Sequence, residues 1–344
     1  MRVGRGKVFF VSAGEFVGGT PRTWTFVDTQ ARSLVDLGWD VGLSVVDDRT
    51  TPWGVARNVG RLRRQIAASG AEVVHAQYGS VTAAAADAAR RSRPLVVTFC
   101  GEDLLSTPVP GLAWRVRGPA GRAIGLAAVS RAQAGIVVSA NLLAALPRRL
   151  QRRTAVVPHG TDDTVFAPGD RAAARAALGW PDAAPVVLFY AGMGPHRKAK
   201  NLDLARATVD AVRGTDPEVR LHVFTGAPQA TVAQMMNAAD CLLVTSLVEG
   251  SPNIVREAMA CDLPVVSVPC GDVADRLRRV DPSGVAPYDA VALARAVRRV
   301  LDARVRSNGR TELLRQGLTA TAVARRLDAI YDAVRSGERP ACAG

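Results

Sequence analysis

The stretch Leu242–Val266, LLVTSLVEGSPNIVREAMACDLPVV, decides how the rest of the chain is read. Its apolar opening, Leu242–Thr245, has the length and bounded character of a buried strand. A loop carrying Glu249-Gly250 follows, and Ser251 and Pro252 have the chemistry of a helix cap and a first-turn residue. Pro252–Ala260 is the helix, and Val265–Val268 the next strand. In this reading the backbone amides of Gly250, Ser251, Pro252-Asn253 and the helix start face whatever lies beyond the strand end.

Working outward, the same alternation fills the chain. After Pro168-Gly169-Asp170 it runs through a helix at Arg171–Leu178, a strand at Val186–Ala191, a helix at Leu202–Val212, a strand at Arg220–Thr225 and a short helix ending at Ala239. Upstream, strand-like runs stand at Val8–Val11, Val41–Val46, Glu72–His75, Leu95–Phe99, Gly135–Ser139 and Ala155–Pro158, with helical stretches such as Thr23–Leu37 and Ala83–Arg91 between them. Strands alternating with helices predict α/β architecture with parallel sheets covered on both faces, and ligands at the carboxyl ends of the strands. Two such units suit a length of 344 residues. The expected division is an N-terminal Rossmann-like domain at 1–167, a second at 168–318, and a segment 319–344. Phe166–Asp170 serves as linker. The helix Thr319–Val334 has Val323, Leu327, Ile330, Tyr331 and Val334 on one face and is expected to pack on the N-terminal domain.

Composition narrows the function classes. Hydrophobic residues are 48%, charged 22% and aromatic 5%, ordinary globular values. No apolar run is long enough to span a bilayer. Lys7–Ala13 is too short for a secretory core and is followed by Glu15, so no signal peptide is expected. Cys100, Cys241, Cys261, Cys270 and Cys342 are widely spaced without a CxxC, which suggests free thiols in a reducing cytoplasm. The histidines form no metal pattern. The formal charge of +13 is compatible with nucleic acid, an anionic membrane surface or a phosphorylated small molecule. Interleaved aromatics and nucleic-acid modules are missing, so nucleic acid is set aside. Peripheral membrane contact stays open. The rich Ala and Arg usage fits the codon habit of a GC-rich bacterial genome.

Three loops carry candidate chemistry. In the first, Gly18-Gly19 lets backbone approach a ligand closely, and Thr20 and Pro21 suit a helix start, which favours an anion. As a plain tight turn it would mean nothing. In the second, residues 191–201, Arg197, Lys198 and Lys200 precede a helix. Lys7, Lys198 and Lys200 are the chain's only lysines, every other basic residue being Arg. A lysine pair kept against that habit points to an ammonium held against phosphate, where a solvated basic loop is the bland alternative. The third is the Glu249–Glu257 region. Eight residues at helical rise are about 12 Å, too far apart for the paired carboxylates of a retaining glycosidase at roughly 5 Å, so the two should act on different parts of one long ligand.

At these residues the chain resembles retaining glycosyltransferase family 4. Glu249-Gly250, Glu257-Ala258-Met259-Ala260-Cys261 and Leu263-Pro264-Val265-Val266 are similar to its E-x7-E region, and Val156-Val157-Pro158-His159-Gly160-Thr161-Asp162 to its linker signature. Gly18-Gly19, the Lys200 loop and Ala238-Ala239-Asp240 fall in the family's order. The resemblance covers essentially the whole chain. It implies a GT-B fold, two Rossmann-like parallel-sheet domains facing across a cleft, with the C-terminal helix crossing back. It also implies a nucleotide-sugar donor, such as a UDP- or GDP-sugar, and no metal or other cofactor. Lys200, with Arg197, would bind the diphosphate. Glu249 would contact the donor sugar, and Gly250, Ser251, Pro252 and Asn253 would line sugar and phosphate. Glu257 would hold the ribose, and Gly18 and Gly19 would approach from the other domain. Transfer would retain configuration at the anomeric carbon.

The chain departs from the family pattern in places. Cys100, in Thr98-Phe99-Cys100-Gly101-Glu102-Asp103, stands where the family has His, so it is counted with Glu249 and Lys200 as a catalytic candidate. His75, Glu102 and Asp103 are acceptor-side candidates. Only one strand–helix unit separates Val212 from Ala239, where the family commonly has two. The variable stretches Asp47–Gly54 and Leu104–Gly118 are expected to be loops near the acceptor, which could be a sugar, an aminocyclitol, a lipid or a natural product. A GT-B epimerase or hydrolase, or a weakly catalytic nucleotide-sugar-binding protein, would carry much the same residues.

Overall fold

The computed structural model describes residues 4–105, 112–192 and 198–338. The chain forms two compact units, one of residues 1–160 with 320–344 and one of residues 161–319.

Among its described residues the first unit has eight strands: β1 Gly6–Ala13, β2 Glu15–Val17, β3 Thr20–Arg22, β4 Trp39–Val46, β5 Val73–Ala76, β6 Leu95–Phe99, β7 Ala134–Val137 and β8 Thr154–Val156. Six of them make a parallel sheet in the order β4-β1-β5-β6-β7-β8. Because side chains alternate along a strand, β1 sends Phe9 and Val11 to one face, with Leu62 and Ile66, and Val8 and Phe10 to the other, with Val27 and Leu34. Both faces are therefore buried, as a parallel sheet requires. The helix Ala320–Arg335 covers the second face with Val323, Leu327, Ile330, Tyr331 and Val334. Each such fully buried side chain contributes roughly 1.5–3 kcal/mol. Polar anchors fix the helix: Trp39 Nε1 donates to Asp328 Oδ1 at 2.8 Å, and the Tyr331 hydroxyl meets His75 Nδ1 at 2.6 Å.

Two local expectations fail here. Thr20 and Pro21 do not begin a helix. Gly18 and Gly19 have φ of +57° and +81° and make the two-residue turn of an antiparallel β2–β3 hairpin. The helix starts at Thr25. The stretches at 47–54 and 104–118 are not loops throughout. Thr51 caps a helix at Pro52–Ser69 through a 3.0 Å bond from the Gly54 amide, and helices occupy Glu102–Leu105 and Leu112–Arg131.

The second unit has β9 Val186–Tyr190, β10 Arg220–Phe224, β11 Cys241–Val244, β12 Val265–Ser267 and β13 Gly284–Val285, all parallel in the order β10-β9-β11-β12-β13. The division between the units falls at residue 160 and not at 167. Phe166 is 1% exposed in the core of the second unit, and its carbonyl accepts from Arg310 Nη1 at 3.1 Å. Since β10 and β11 flank β9, the winding reverses at β9, and the loops after β9 and β11 are neighbours. Such a reversal is where open α/β sheets form a ligand crevice. Among the described residues no helix is long and apolar enough to cross a membrane.

Candidate functional site

In the second unit the reversal point brings together residues far apart in sequence. Lys198–Lys200 form a short 3₁₀ turn after β9, and this turn is sewn to the loop after β11. The Leu247 amide donates to Ala199 O at 2.8 Å, and Thr245 Oγ1 donates to the carbonyls of Lys200 and Asn201, each at 2.9 Å. The sewing aims the Lys200 ammonium at Glu249, and the two form an ion pair that retains side-chain exposures of 17% each. Lys198 is exposed. Arg197 lies outside the described residues.

Tyr190, the last residue of β9, is the floor of this cluster. Lys200 Nζ stands 5.4 Å from the centre of its ring. Burial raises the Tyr190 pKa; Lys200 opposes the shift, and the charges of Glu257 and Glu249 add to it. One ring thus feels all three charged candidates. Burial works against the Lys200 ammonium, but the charge and hydrogen bond of Glu249 outweigh it, and the lysine pKa ends above its ordinary value. The lysine therefore stays charged. An ammonium has three donors, and Glu249 uses one.

The two glutamates are not eight residues apart along one helix. Helical rise applies only from Asn253, where the helix Asn253–Ala260 begins, so Glu249 lies outside it and the figure of about 12 Å does not follow. Glu257 is partly buried, and among the described residues no group hydrogen-bonds its carboxylate. Burial pushes its carboxyl up to about 7, against the pull of Arg256. A half-buried carboxylate with no hydrogen bond among the described residues is suited to take one from a ligand.

Ser251 does not cap this helix. Pro252 occupies the cap position, and no side chain bonds the first-turn amides. The Ser251 hydroxyl instead donates to Asp272 Oδ2 at 2.8 Å and accepts from Arg256 Nη1. Gly250 is buried, and Gly271, at φ +57°, presses on it: a Cβ there would stand 2.7 Å from the Gly250 carbonyl. Tyr190, Arg256 and Asp272 were not singled out in the sequence. Tyr190 carried one signal, a tyrosine ending an otherwise apolar strand; Arg256 and Asp272 carried none.

The first-unit candidates are held separately. The Cys100 amide donates to Asp103 Oδ1 at 3.0 Å, its thiol points to the Gln77 carbonyl at 3.5 Å, and burial pushes the thiol pKa well up. The thiol is therefore neutral. Asp103 serves the fold: its carboxylate also accepts from the amides of Gly79 at 2.7 Å and Gly101 at 2.8 Å, tying the loop after β5 to the loop after β6. Burial raises its pKa to about 6, and these bonds hold it down from going further. His75 is fully buried. Its Nε2 meets Thr98 Oγ1 at 2.7 Å and its Nδ1 meets Tyr331, so both ring nitrogens are used inside the core and neither can reach a ligand. Burial lowers its pKa to about 3. Glu102 opens the short helix Glu102–Leu105. Gly18 and Gly19 have open space where a Cβ would stand, so the hairpin tip is free to meet a ligand.

Comparison with known proteins gives the following. A family model described as "Glycosyltransferase Family 4" matches residues 40–165, and one described as "Glycosyl transferases group 1" matches residues 171–303. A D-inositol 3-phosphate glycosyltransferase of Geodermatophilus obscurus is 32% identical over 185 residues, covering 42% of this chain and 40% of that protein. The chain thus spans about 40% of the length of that curated relative. Among solved structures, the sucrose-phosphate synthase of Thermosynechococcus elongatus superimposes with a TM-score of 0.78 at 18% identity, covering 97% of this chain and 100% of that one. Anabaena HepE, solved with UDP and glucose, gives 0.67 at 17% identity, covering 94% and 98%. These two likenesses establish the fold, GT-B.

Proposed function

The chain belongs to glycosyltransferase family 4, and from that premise we propose that it moves a sugar from a nucleoside-diphosphate donor to an acceptor hydroxyl, with retention of configuration and without a metal ion. The observation that carries the proposal is the gathering of Lys200, Glu249 and Glu257 around Tyr190 where the winding of the second sheet reverses.

Each group then has a task its surroundings suit. Lys200 keeps its charge and has donors left beyond the one given to Glu249, so it neutralises the diphosphate as the sugar bond breaks. The uncapped amides before and within the first turn of Asn253–Ala260 add a second, fixed source of positive potential. Glu249, pinned by Lys200, accepts from hydroxyls of the donor sugar. Glu257 accepts from the ribose hydroxyls. The departing diphosphate takes the proton of the acceptor hydroxyl as that oxygen attacks from the same face. Lysine and amides supply the charge compensation a metal would otherwise give. Free thiols at Cys100, Cys241, Cys261 and Cys270 fit a reducing cytoplasm, where such donors are made.

A thermal-shift panel tests the reading. The intact chain is heated with UDP, GDP and ADP and with their sugar conjugates, UDP leading because HepE holds it. A true donor raises the midpoint in proportion to ln(1 + [L]/Kd). No shift with any of them, at concentrations up to about 100 times an ordinary Kd, would remove the proposal.

A further inference from the structure

We propose that Arg256 is a positioning residue for the donor diphosphate: its guanidinium occupies the Ser251 carbonyl, the Ser251 hydroxyl and the Asn253 side-chain oxygen, so that the Ser251-Pro252-Asn253 turn offers a ligand N–H donors. The inference rests on reading residues 200 and 249–257 as a nucleoside-diphosphate site.

Arg256 is 1% exposed, although it sits on a helix of eight residues with Glu257 beside it. Burial lowers its pKa to about 10, so the guanidinium remains charged. Its side chain folds back onto the residues before the helix. Nη1 donates to the Ser251 hydroxyl and, at 3.4 Å, to the Ser251 carbonyl; Nη2 donates to Asn253 Oδ1. The Ser251 hydroxyl passes its own proton to Asp272 Oδ2 at 2.8 Å, and Arg276 Nε holds the same oxygen at 2.9 Å.

The consequence follows from donor and acceptor arithmetic. Arginine has no acceptor, so the Asn253 atom facing it must be the carbonyl oxygen, and the amide NH₂ is what remains for a ligand. Ser251 has both its carbonyl and its hydroxyl engaged. The Pro252 carbonyl accepts from the Val255 amide at 3.2 Å and proline has no N–H, so the turn has left the backbone amides of Ser251 and Asn253 and the Asn253 NH₂, all donors. Phosphate oxygens accept and cannot donate, so a donor-only turn suits them and disfavours a wrong ligand that brings N–H groups. The fork also fixes Ser251 relative to Asn253, three bonds holding both ends of one turn.

The arrangement is costly for folding. Arg256 Nε and Asp272 Oδ1 are buried with no partner among the described residues. A buried ion cluster gives little net stability beside a well-packed apolar one of the same volume, although removing a single member strands the others. A cluster kept despite that cost is expected where the site, not the fold, needs it.

The experiment compares the unaltered chain with Arg256→Met, Arg256→Lys, Ser251→Ala and Lys200→Ala. Calorimetry gives the affinity for UDP and UMP, and thermal unfolding gives the midpoint. Arg256→Met leaves Asp272 held by Arg276 and Ser251 and is expected to fold with a lowered midpoint while binding UDP about 10- to 100-fold more weakly, the scale of a misplaced site. UMP, which lacks the distal phosphate, should change far less. Arg256→Lys should not restore UDP binding, because one ammonium cannot span Ser251 and Asn253. A folded Arg256→Met that binds UDP normally, while Lys200→Ala does not, overturns the positioning role and leaves the site intact. An unaltered chain that binds neither UDP, GDP nor ADP overturns the site itself. Should Arg256→Met fail to fold, Ser251→Ala decides: normal UDP binding overturns the proposal, and so does its failure to fold, since the cluster would then serve the fold.

Discussion

Replacing Glu257 by Gln should make the protein more stable at alkaline pH and less able to bind its nucleotide. In the folded chain the carboxyl is pushed by burial from its ordinary 4.5 up to about 7. Between those two values the folded state holds a proton that the unfolded state has released. The unfolded state therefore binds fewer protons, and stability falls as pH rises. Below about pH 4.5 both states are protonated and nothing is lost; above about pH 7 the full cost is present. One pKa unit corresponds to about 1.4 kcal/mol, so ionising this buried group costs roughly 3 kcal/mol at pH 8 and less than about 1 kcal/mol at pH 5. Gln has nearly the same shape and does not titrate. Urea unfolding of both proteins at pH 5 and pH 8 reads the difference directly: Glu257→Gln should gain roughly 2–3 kcal/mol over the parent between the two pH values. UDP binding should weaken at the same time, since a neutral amide is a poorer acceptor for two hydroxyls. Parallel pH dependences in the two proteins would refute the argument, because Glu257 would then ionise as it does in the unfolded chain.

Further outcomes are expected. Lys200→Ala should lower turnover by at least about 100-fold, measured as UDP release from the donor that the binding panel identifies, with Lys198→Ala near normal. Glu249→Ala should spare UDP affinity and impair sugar transfer, whereas Glu257→Ala should weaken UDP itself; equal loss of UDP affinity in both would cancel the division of roles. Cys100→Ala should cost about tenfold in kcat/KM, or roughly 1.4 kcal/mol, since a neutral, half-buried thiol gives one weak contact. Asp103→Ala, which orphans the amides of Gly79, Cys100 and Gly101, should lower stability by several kcal/mol, seen in urea unfolding, more than any of the other substitutions.

Much of the fold was legible because its strands are buried on both faces. Runs such as Leu95–Phe99 are apolar but for one partnered threonine, and the structure returns that strand with the same ends. The helix Leu112–Arg131 was not legible, for an instructive reason. It contains Pro119 and several glycines, residues that local propensity assigns to loops. Packing explains one of those glycines: a Cβ on Gly125 would stand 2.7 Å from the Ser80 amide and 3.0 Å from the Phe99 ring, so close approach demands glycine within the helix. The β2–β3 hairpin was missed through the opposite ambiguity. Gly-Gly-Thr-Pro reads equally as a loop running into a helix cap, and only the strand pairing of Glu15–Val17 with Thr20–Arg22 decides.

The candidate site divides along a different line. Residue type alone could not separate charged groups that build the fold from those that meet a ligand, but saturation does. Arg175 is 0% exposed, and it donates to the carbonyls of Ala238, Pro181, Asp182 and Ala184 and to Asp240, which Arg171 also holds. Every nitrogen of the guanidinium has a partner, so Arg175 and Asp240 are parts of the framework, although Ala238-Ala239-Asp240 stood among the family-like segments. His75 and Asp103 are saturated in the same way. Glu257 is the contrary case: half-buried and without a hydrogen bond among the described residues, it has only the charge of Arg256 to set against desolvation. Lys200 and Glu249 stand between, paired with each other but still partly open to solvent. These three groups lie together where the second sheet reverses its winding, and a ligand there would complete the bonds the fold leaves open.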